Sequence, residues 1–424
     1  MKVAVTDVSP CRRSLAVEVP PAMIDAEFEK ALRTYSKGIN ISGFRQGKVP
    51  RQIVAQRFGK EIEQDVVEAL IRDCSLSAIK EKGLKPLHSP VLKDYRFERG
   101  AGLSFVAEFE VKPDLDPIGY RDIKVERRKV LITDPDVDKA IEGLRERGAK
   151  FEGVEGRGIA QGDYILADIR GEFSDGGHEP LSQPEAFFEI GSAGPHPEMT
   201  DELKEMTPGG EKTFGISYPK DHPSEFLAGK RVVFTVRVKE IKTRHLPAID
   251  DEFAREVGAG ESLEALRTKV REDLTKASIE REKAEAQGKA VEKLLEANRS
   301  AEVPDAMVDD QIEGYIEDFM HRLAAQGIDP SSAGVDLDRL RDEQRVPAQR
   351  SVKAALLLDA IAVKESMEIP EAEIEEAFLA EARRMKQTPE SLRARWKKEG
   401  HMDALKRHLM REKVLDLILG PSNI

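Results

Sequence analysis

Cysteine is nearly absent from the chain. Two residues in 424, Cys11 and Cys74, stand in no CxxC or metal-ligand spacing. That argues against a disulfide framework and points to a reducing compartment. Aromatics are scarce, at 5%, which fits poorly with one dense aromatic core in a single compact enzyme. No run approaches the roughly 18 apolar residues of a membrane span. The N-terminus, "MKVAVTDVSPCRRSLAVEV", lacks the apolar stretch of a signal peptide. The expectation is a cytoplasmic protein with no membrane partner. No G-x-x-x-x-G-K-[ST] occurs, so any working cycle should run on binding and release without ATP, and no cofactor is expected.

What is present is charge. Asp, Glu, Lys and Arg make up 34% of the chain, with a formal net charge of −12. The length suggests two to four domains. The charge is uneven: residues 1–113 carry a net +4 and the remainder −16. A mildly basic head on an acidic body implies an anionic partner for the head alone.

Texture divides the chain further. Residues 1–113 read as α+β. "SLAVEV" places Leu15, Val17 and Val19 on one strand face, and Leu103, Phe105, Ala107, Phe109 and Val111 alternate likewise. Ile24, Phe28, Leu32 and Tyr35 form one helical stripe, and Ile62, Val66, Leu70 and Cys74 a second. "KPDLDP" then marks a boundary. Residues 114–150 form a connector with an extended part, "YRDIKVERRKV", and a capped helix, "DPDVDKAIEGLRERGA". Residues 151–243 are Gly-rich with short β runs, and predict a small β-rich domain. From 244 to 424 the pattern is helical, with Ser262 as an N-cap and several apolar stripes that never settle into a heptad.

One stretch breaks with the acidic whole. From Lys30 to Lys60 there are eight Lys or Arg and not one Asp or Glu. Its centre is "GFRQGKVP". Gly43 and Gly47 allow close backbone approach, and Pro50 stiffens the exit. Arg45 offers a planar fork for phosphate or carboxylate and Lys48 a point charge. Phe44 adds an apolar contact of the kind that stacks on bases. On physics alone the loop is either an RNA–protein contact or a solvated basic turn with Phe44 tucked into its own domain.

"GFRQGKVP" resembles the ribosome-docking signature of the bacterial trigger factors. "VAQRFGKEIEQDV", "FVAEFEVKPDL", "LPAIDDEFAREVG" and "VPDAMVDDQI" resemble stretches of that family in the same order. The resemblance implies a multidomain α+β chaperone: an N-terminal α+β ribosome-binding domain, an FKBP-like β-rich domain and a helical C-terminal client-binding domain. It implies that Gly43, Phe44, Arg45, Gly47, Lys48 and Pro50 dock on the large ribosomal subunit beside the exit tunnel, against ribosomal protein and RNA. Nascent and unfolded polypeptides are the implied clients, and a weak homodimer off the ribosome is implied as well.

By the same resemblance, residues 151–243 correspond to a peptidyl-prolyl isomerase. Such an enzyme needs a dry apolar pocket that desolvates the imide and holds it twisted, not a nucleophile or a metal. The matching positions are Ile169, Phe188, Met199, Tyr218, His222 and Phe234. Phe188 and Phe234 keep aromatic walls, whereas Ile169, Met199 and His222 stand where the family has aromatics. The pocket therefore reads as thinned: full activity, weakened activity, and a domain that only binds or spaces clients all remain open. His196 and His222 have no Cys or clustered acid near them in sequence and read as bystanders, so no metal site is expected. Trp396, striped with Leu392, reads as core. Met307, Met320, Met367, Met385, Met402 and Met410 read either as flexible client contacts or as ordinary core. Three functions compete: a ribosome-associated chaperone with an isomerase domain, a free prolyl isomerase with targeting flanks, and a non-catalytic interaction protein.

Overall fold

The computed structural model describes residues 1–38, 50–127, 130–174, 180–191, 199–221, 224, 226–329 and 334–420. They form two compact units: Met1–Arg127 with Lys283–Ile424, and Arg128–Glu282.

The first unit begins with two antiparallel hairpins. β1 (Lys2–Ser9) pairs with β2 (Arg12–Val19), and β3 (Val91–Glu98) with β4 (Gly102–Glu110). β2 also pairs with β4, giving the order β1-β2-β4-β3. Because strand side chains alternate, Leu15, Val17 and Val19 share a face with Leu103, Phe105, Ala107 and Phe109. α1 (Pro21–Gly38) and α2 (Arg51–Glu81) cover that face with Ile24, Phe28, Leu32, Ile62, Val66, Leu70 and Cys74. All of these are buried. Tyr35 is only partly so, and its hydroxyl donates to Asp65 from the neighbouring helix. The sequence pattern of this part is therefore realised as one core.

The rest of the unit is helical: residues of α6 (Leu263–Ala297) from 283 on, α7 (Asp305–Ala325), α8 (Leu337–Lys364), α9 (Glu371–Arg384), α10 (Pro389–Glu399) and α11 (His401–Ile418). Among the described residues it has three cores. Ala286, Ala290, Leu294, Leu357, Ile361, Val414 and Ile418 make the first. Val308, Ile312, Ile316, Ala348, Val352 and Leu356 make the second, between α7 and α8. Phe378, Ala382, Leu392 and Trp396 make the third. The first core also takes Tyr120, Ile123 and Val125. That stretch is a single turn at Tyr120–Asp122 followed, over residues 123–127, by chain outside any sheet. Asn298 holds it from both sides, accepting from the Ile118 amide and donating to the Ile118 carbonyl, each at 3.0 Å.

The second unit opens with α3 (Asp134–Arg147), started by a reciprocal capping box between Thr133 and Asp136. Val137 and Ile141 pack against Phe253 and Ala254 of α5 (Asp251–Glu256) and against Leu266. Ser262 caps the start of α6, its hydroxyl accepting from the Ala265 amide at 3.2 Å. The sheet contains β5 (Lys150–Gly153), β6 (Asp163–Phe173), β7 (Leu181–Glu189), β8 (Glu211–Ser217) and β9 (Arg231–His245), and a short α4 (Thr200–Leu203) accompanies it. The order is β5-β9-β6-β7, and β8 also pairs with β9. All pairings are antiparallel.

Asp163 anchors the start of β6. Its carboxylate is buried and accepts from Arg157 at 2.5 and 2.8 Å, from the Ala160 amide at 2.8 Å and from the Thr243 hydroxyl at 3.2 Å. The Arg157 guanidinium, helped by Ala160 and Thr243, holds the Asp163 carboxyl below the usual carboxylate range, although burial opposes this. A carboxyl depressed on folding stabilises above its unfolded value of about 3.9, and that contribution is lost as pH falls through the lower folded value. Asp163→Asn should cost the second unit about 2 kcal/mol at neutral pH and flatten the acid limb of its stability curve. Urea unfolding between pH 3 and 7 checks both.

Candidate functional site

The sequence proposes two sites, and the chain's two units hold one each. In the second unit, Ile169, Phe188, Met199, Tyr218 and Phe234 come together in one apolar core with Ile190, Leu203 and Phe214. β6 carries Ile169, β7 carries Phe188 and β9 carries Phe234, while Met199 immediately precedes α4. Ile169 lies opposite Val236 in the β6–β9 register, and Gly171 lies opposite Phe234. A Cβ on Gly171 would sit 2.9 Å from the Phe234 ring. Glycine is thus what lets that ring approach β6 so closely, and the "DIRG" stretch owes its last residue to this approach.

All five of these side chains are at least nine-tenths buried, and Met199 is fully so. They pack as one dry apolar core, with little of their own surface open. His222 and His196 lie outside the described residues. Accessible aromatic surface comes instead from a residue the sequence reading did not single out. Phe226 is 46% exposed and meets Phe173 edge-on at 5.1 Å. The Lys230 ammonium lies over both rings, 5.5 Å from Phe173 and 5.0 Å from Phe226. The Lys230 carbonyl accepts from the Tyr218 amide at 2.9 Å, which ties this aromatic edge to the buried wall. Phe226 was findable, since it lies between Tyr218 and Phe234, two of the positions that the resemblance gives.

Near the wall, Asp168 accepts from the Glu185 amide at 2.9 Å and pairs with Lys239 at 2.9 Å. Both hold its carboxyl below its ordinary range, the Glu185 amide most. It is a satisfied structural carboxylate, not a poised acid. Among the described residues, no group of three His, Cys, Asp or Glu is placed to hold a metal.

The first unit carries the basic stretch. Gly43, Phe44, Arg45, Gly47 and Lys48 lie outside the described residues. Pro50 is described: it precedes α2 with extended backbone, and its carbonyl accepts from the Ile53 amide at 3.0 Å. α1 ends with Lys37 in its last turn, and α2 has no acid in its first. A helix N-terminus already carries partial positive charge. Leaving it without the usual acidic partner, and following it with Arg57 and Lys60, keeps this end of the domain cationic.

Comparison with known proteins bears on the whole chain. A family model described as bacterial trigger factor protein matches residues 1–144, and a second, for the trigger factor C-terminus, matches 262–420. The trigger factor of Koribacter versatilis is 34% identical over 418 residues, covering 98% of this chain and 95% of the relative. The chain belongs to the bacterial trigger factor family. The trigger factor of Solibacter usitatus is 30% identical, over 97% of each chain. A solved trigger factor chaperone, studied for promiscuous substrate recognition in folding and assembly, aligns over 99% of each chain with a TM-score of 0.51 at 21% identity, which supports the shared multidomain α+β fold. As a trigger factor the chain is a chaperone of protein folding, and the β-rich residues 151–243 lie wholly between the two matched stretches. Among the described residues, no helix is long and apolar enough to cross a membrane.

Proposed function

We propose that the chain is a cytoplasmic holdase that docks on the large ribosomal subunit through Gly43, Phe44, Arg45, Gly47, Lys48 and Pro50 and receives nascent chains on its helical part. The observation that carries this reading is the acid-free run from Lys30 to Lys60 in a chain of net charge −12. Counterion release from RNA is what a cationic stretch adds.

The helical part supports client binding in a specific way. Because it is built on three small cores, it leaves grooves between helices. One, of about 620 Å³, is lined by Tyr315, Phe319, Leu340, His321, Arg322 and Gln344 along α7 and α8. Val346 and Val363 of α8 are also 65% and 80% exposed. Apolar surface rimmed by charge suits weak capture of unfolded segments. The methionines contribute less to such a surface than their flexibility suggests. Met307, Met320, Met367, Met402 and Met410 pack against the cores, while Met385 is 37% exposed.

In this reading residues 151–243 are an FKBP-like isomerase domain with a thinned pocket, walled by Ile169, Phe188, Met199, Tyr218 and Phe234 and edged by Phe226. Its expected activity is weak. A proline-limited refolding reaction followed by protease coupling should run faster than in buffer but well below a full aromatic pocket, and Phe226→Ala should lower it further. A rate equal to buffer removes the enzymatic part and leaves a binding domain.

A further inference from the structure

The last residue of β4 does something that no strand residue needs to do. Glu110 is buried, 7% exposed, at the end of a strand whose other buried residues are all apolar. One carboxylate oxygen accepts from the Ala306 amide at 2.8 Å. Ala306 is the second residue of α7, whose N-cap is Pro304 and which has no side-chain cap of its own. The strand end therefore supplies the acceptor that a capping Ser or Asp would ordinarily provide. The other oxygen takes Arg12, its register partner on β2, at 3.4 Å, and Arg12 reaches on to Asp305 at 3.6 Å. Two residues later, Lys112 pairs with Asp359 of α8 at 3.0 Å, and Asp359 is also held by Arg411 of α11 at 2.8 Å.

We propose that Glu110 and Lys112 form a lock that fixes the N-terminal α+β domain on the helical part, with Glu110 as the positioning residue. The chemistry favours a discrete lock over a soft contact. A Glu110 carboxylate that loses the Ala306 amide is left with Arg12 alone, and the Ala306 amide loses its acceptor at the same time. Opening is thus penalised from both sides. The lock goes beyond ribosome docking: it sets the reach from the cationic end of the domain to the α7–α8 pair.

The molecule carries its own reporter. Cys11 is 4% exposed and lines a cleft of about 540 Å³ with Arg12, Glu110, Glu302, Asp305 and Lys353. Burial, then the Glu302 and Glu110 carboxylates, push its thiol up to about 11. Cys74 lies in the separate core under the first sheet and serves as the internal control.

The test is maleimide labelling of the full chain, with each cysteine quantified by mass spectrometry in Glu110→Leu, Glu110→Gln and Lys112→Ala. Both Glu110 variants remove the same charge from beside Cys11, so the difference between them reports opening. Gln retains an oxygen for the Ala306 amide. Glu110→Leu should label at Cys11 at least about tenfold faster than Glu110→Gln, with Cys74 unchanged in both. Lys112→Ala, a surface change that leaves folding intact, should raise Cys11 labelling about threefold. Equal Cys11 rates in the two Glu110 variants, or an unchanged rate in Lys112→Ala, overturn the lock. A parallel rise at Cys74 also overturns it, because the residue would then hold the domain's own core together.

Discussion

Phe44→Ala, Arg45→Ala and Lys48→Ala combined will release the protein from ribosomes while leaving it folded. Two of the three lost groups are the cations of the proposed docking stretch, and contacts of charged groups are worth about 1.5–3 kcal/mol each. Losing both weakens binding by more than about a hundredfold. The apolar contact of Phe44 adds to this. Because the attraction is partly counterion release, the wild-type affinity should fall steeply with salt, and the variant should show a shallower slope. Folding should survive, since the domain is held by Leu15, Ile24, Ile62, Phe105 and their neighbours, none of which changes. Co-sedimentation with ribosomes at several salt concentrations, beside thermal unfolding of the same samples, measures both halves. A variant that pellets with ribosomes like the wild type at physiological salt refutes the docking assignment.

The second large effect is structural. Phe378→Ala should cost the α9–α10 region about 3–5 kcal/mol. Phe378 is fully buried, its ring meets Trp396 edge-on at 5.6 Å, and the Arg393 guanidinium lies 4.4 Å above its centre. The core around it is small, with Ala382, Leu392 and partly buried Leu379, Met402 and Leu405 as neighbours. So few residues cannot collapse into the space a phenyl ring leaves. Trp396 is the single tryptophan of the chain, so its fluorescence reports on this core alone. Denaturant unfolding followed at Trp396 should shift to lower concentration in the variant, while the far-ultraviolet signal of the remaining helices shifts less. Coincident wild-type-like transitions would mean that this core adds little to the helical part.

Much of the architecture could be read from periodicity, and the misses have physical causes. The stripes through Leu15–Val19, Ile24–Leu32, Ile62–Cys74 and Leu103–Val111 became one core because every position faced the same sheet. β3 gave no such sign. All but one of its residues are exposed, so burial imposes no alternation on its sequence. The stretch read as extended after Tyr120 is so at Ile123, and its Ile123 and Val125 fill a core between helices. The site was partly legible. Composition exposed the cationic stretch, but periodicity could not show that the helical stripes end in three cores with grooves between them. Nor could it show that Ile169, Met199 and Phe234 lie inside while Phe226 lies at the surface. That distinction depends on strand register and on Gly171, which no local pattern encodes.

The account stands on what the basic stretch from Lys30 to Lys60 binds. A photoreactive residue at position 45, introduced into the chain on translating ribosomes, tests it most directly. Irradiation should yield crosslinks to protein or RNA of the large subunit beside the exit of the nascent chain, lost at high salt, while the same preparation suppresses aggregation of a denatured client. Efficient protection of the client with no crosslink to the ribosome at any salt would contradict it.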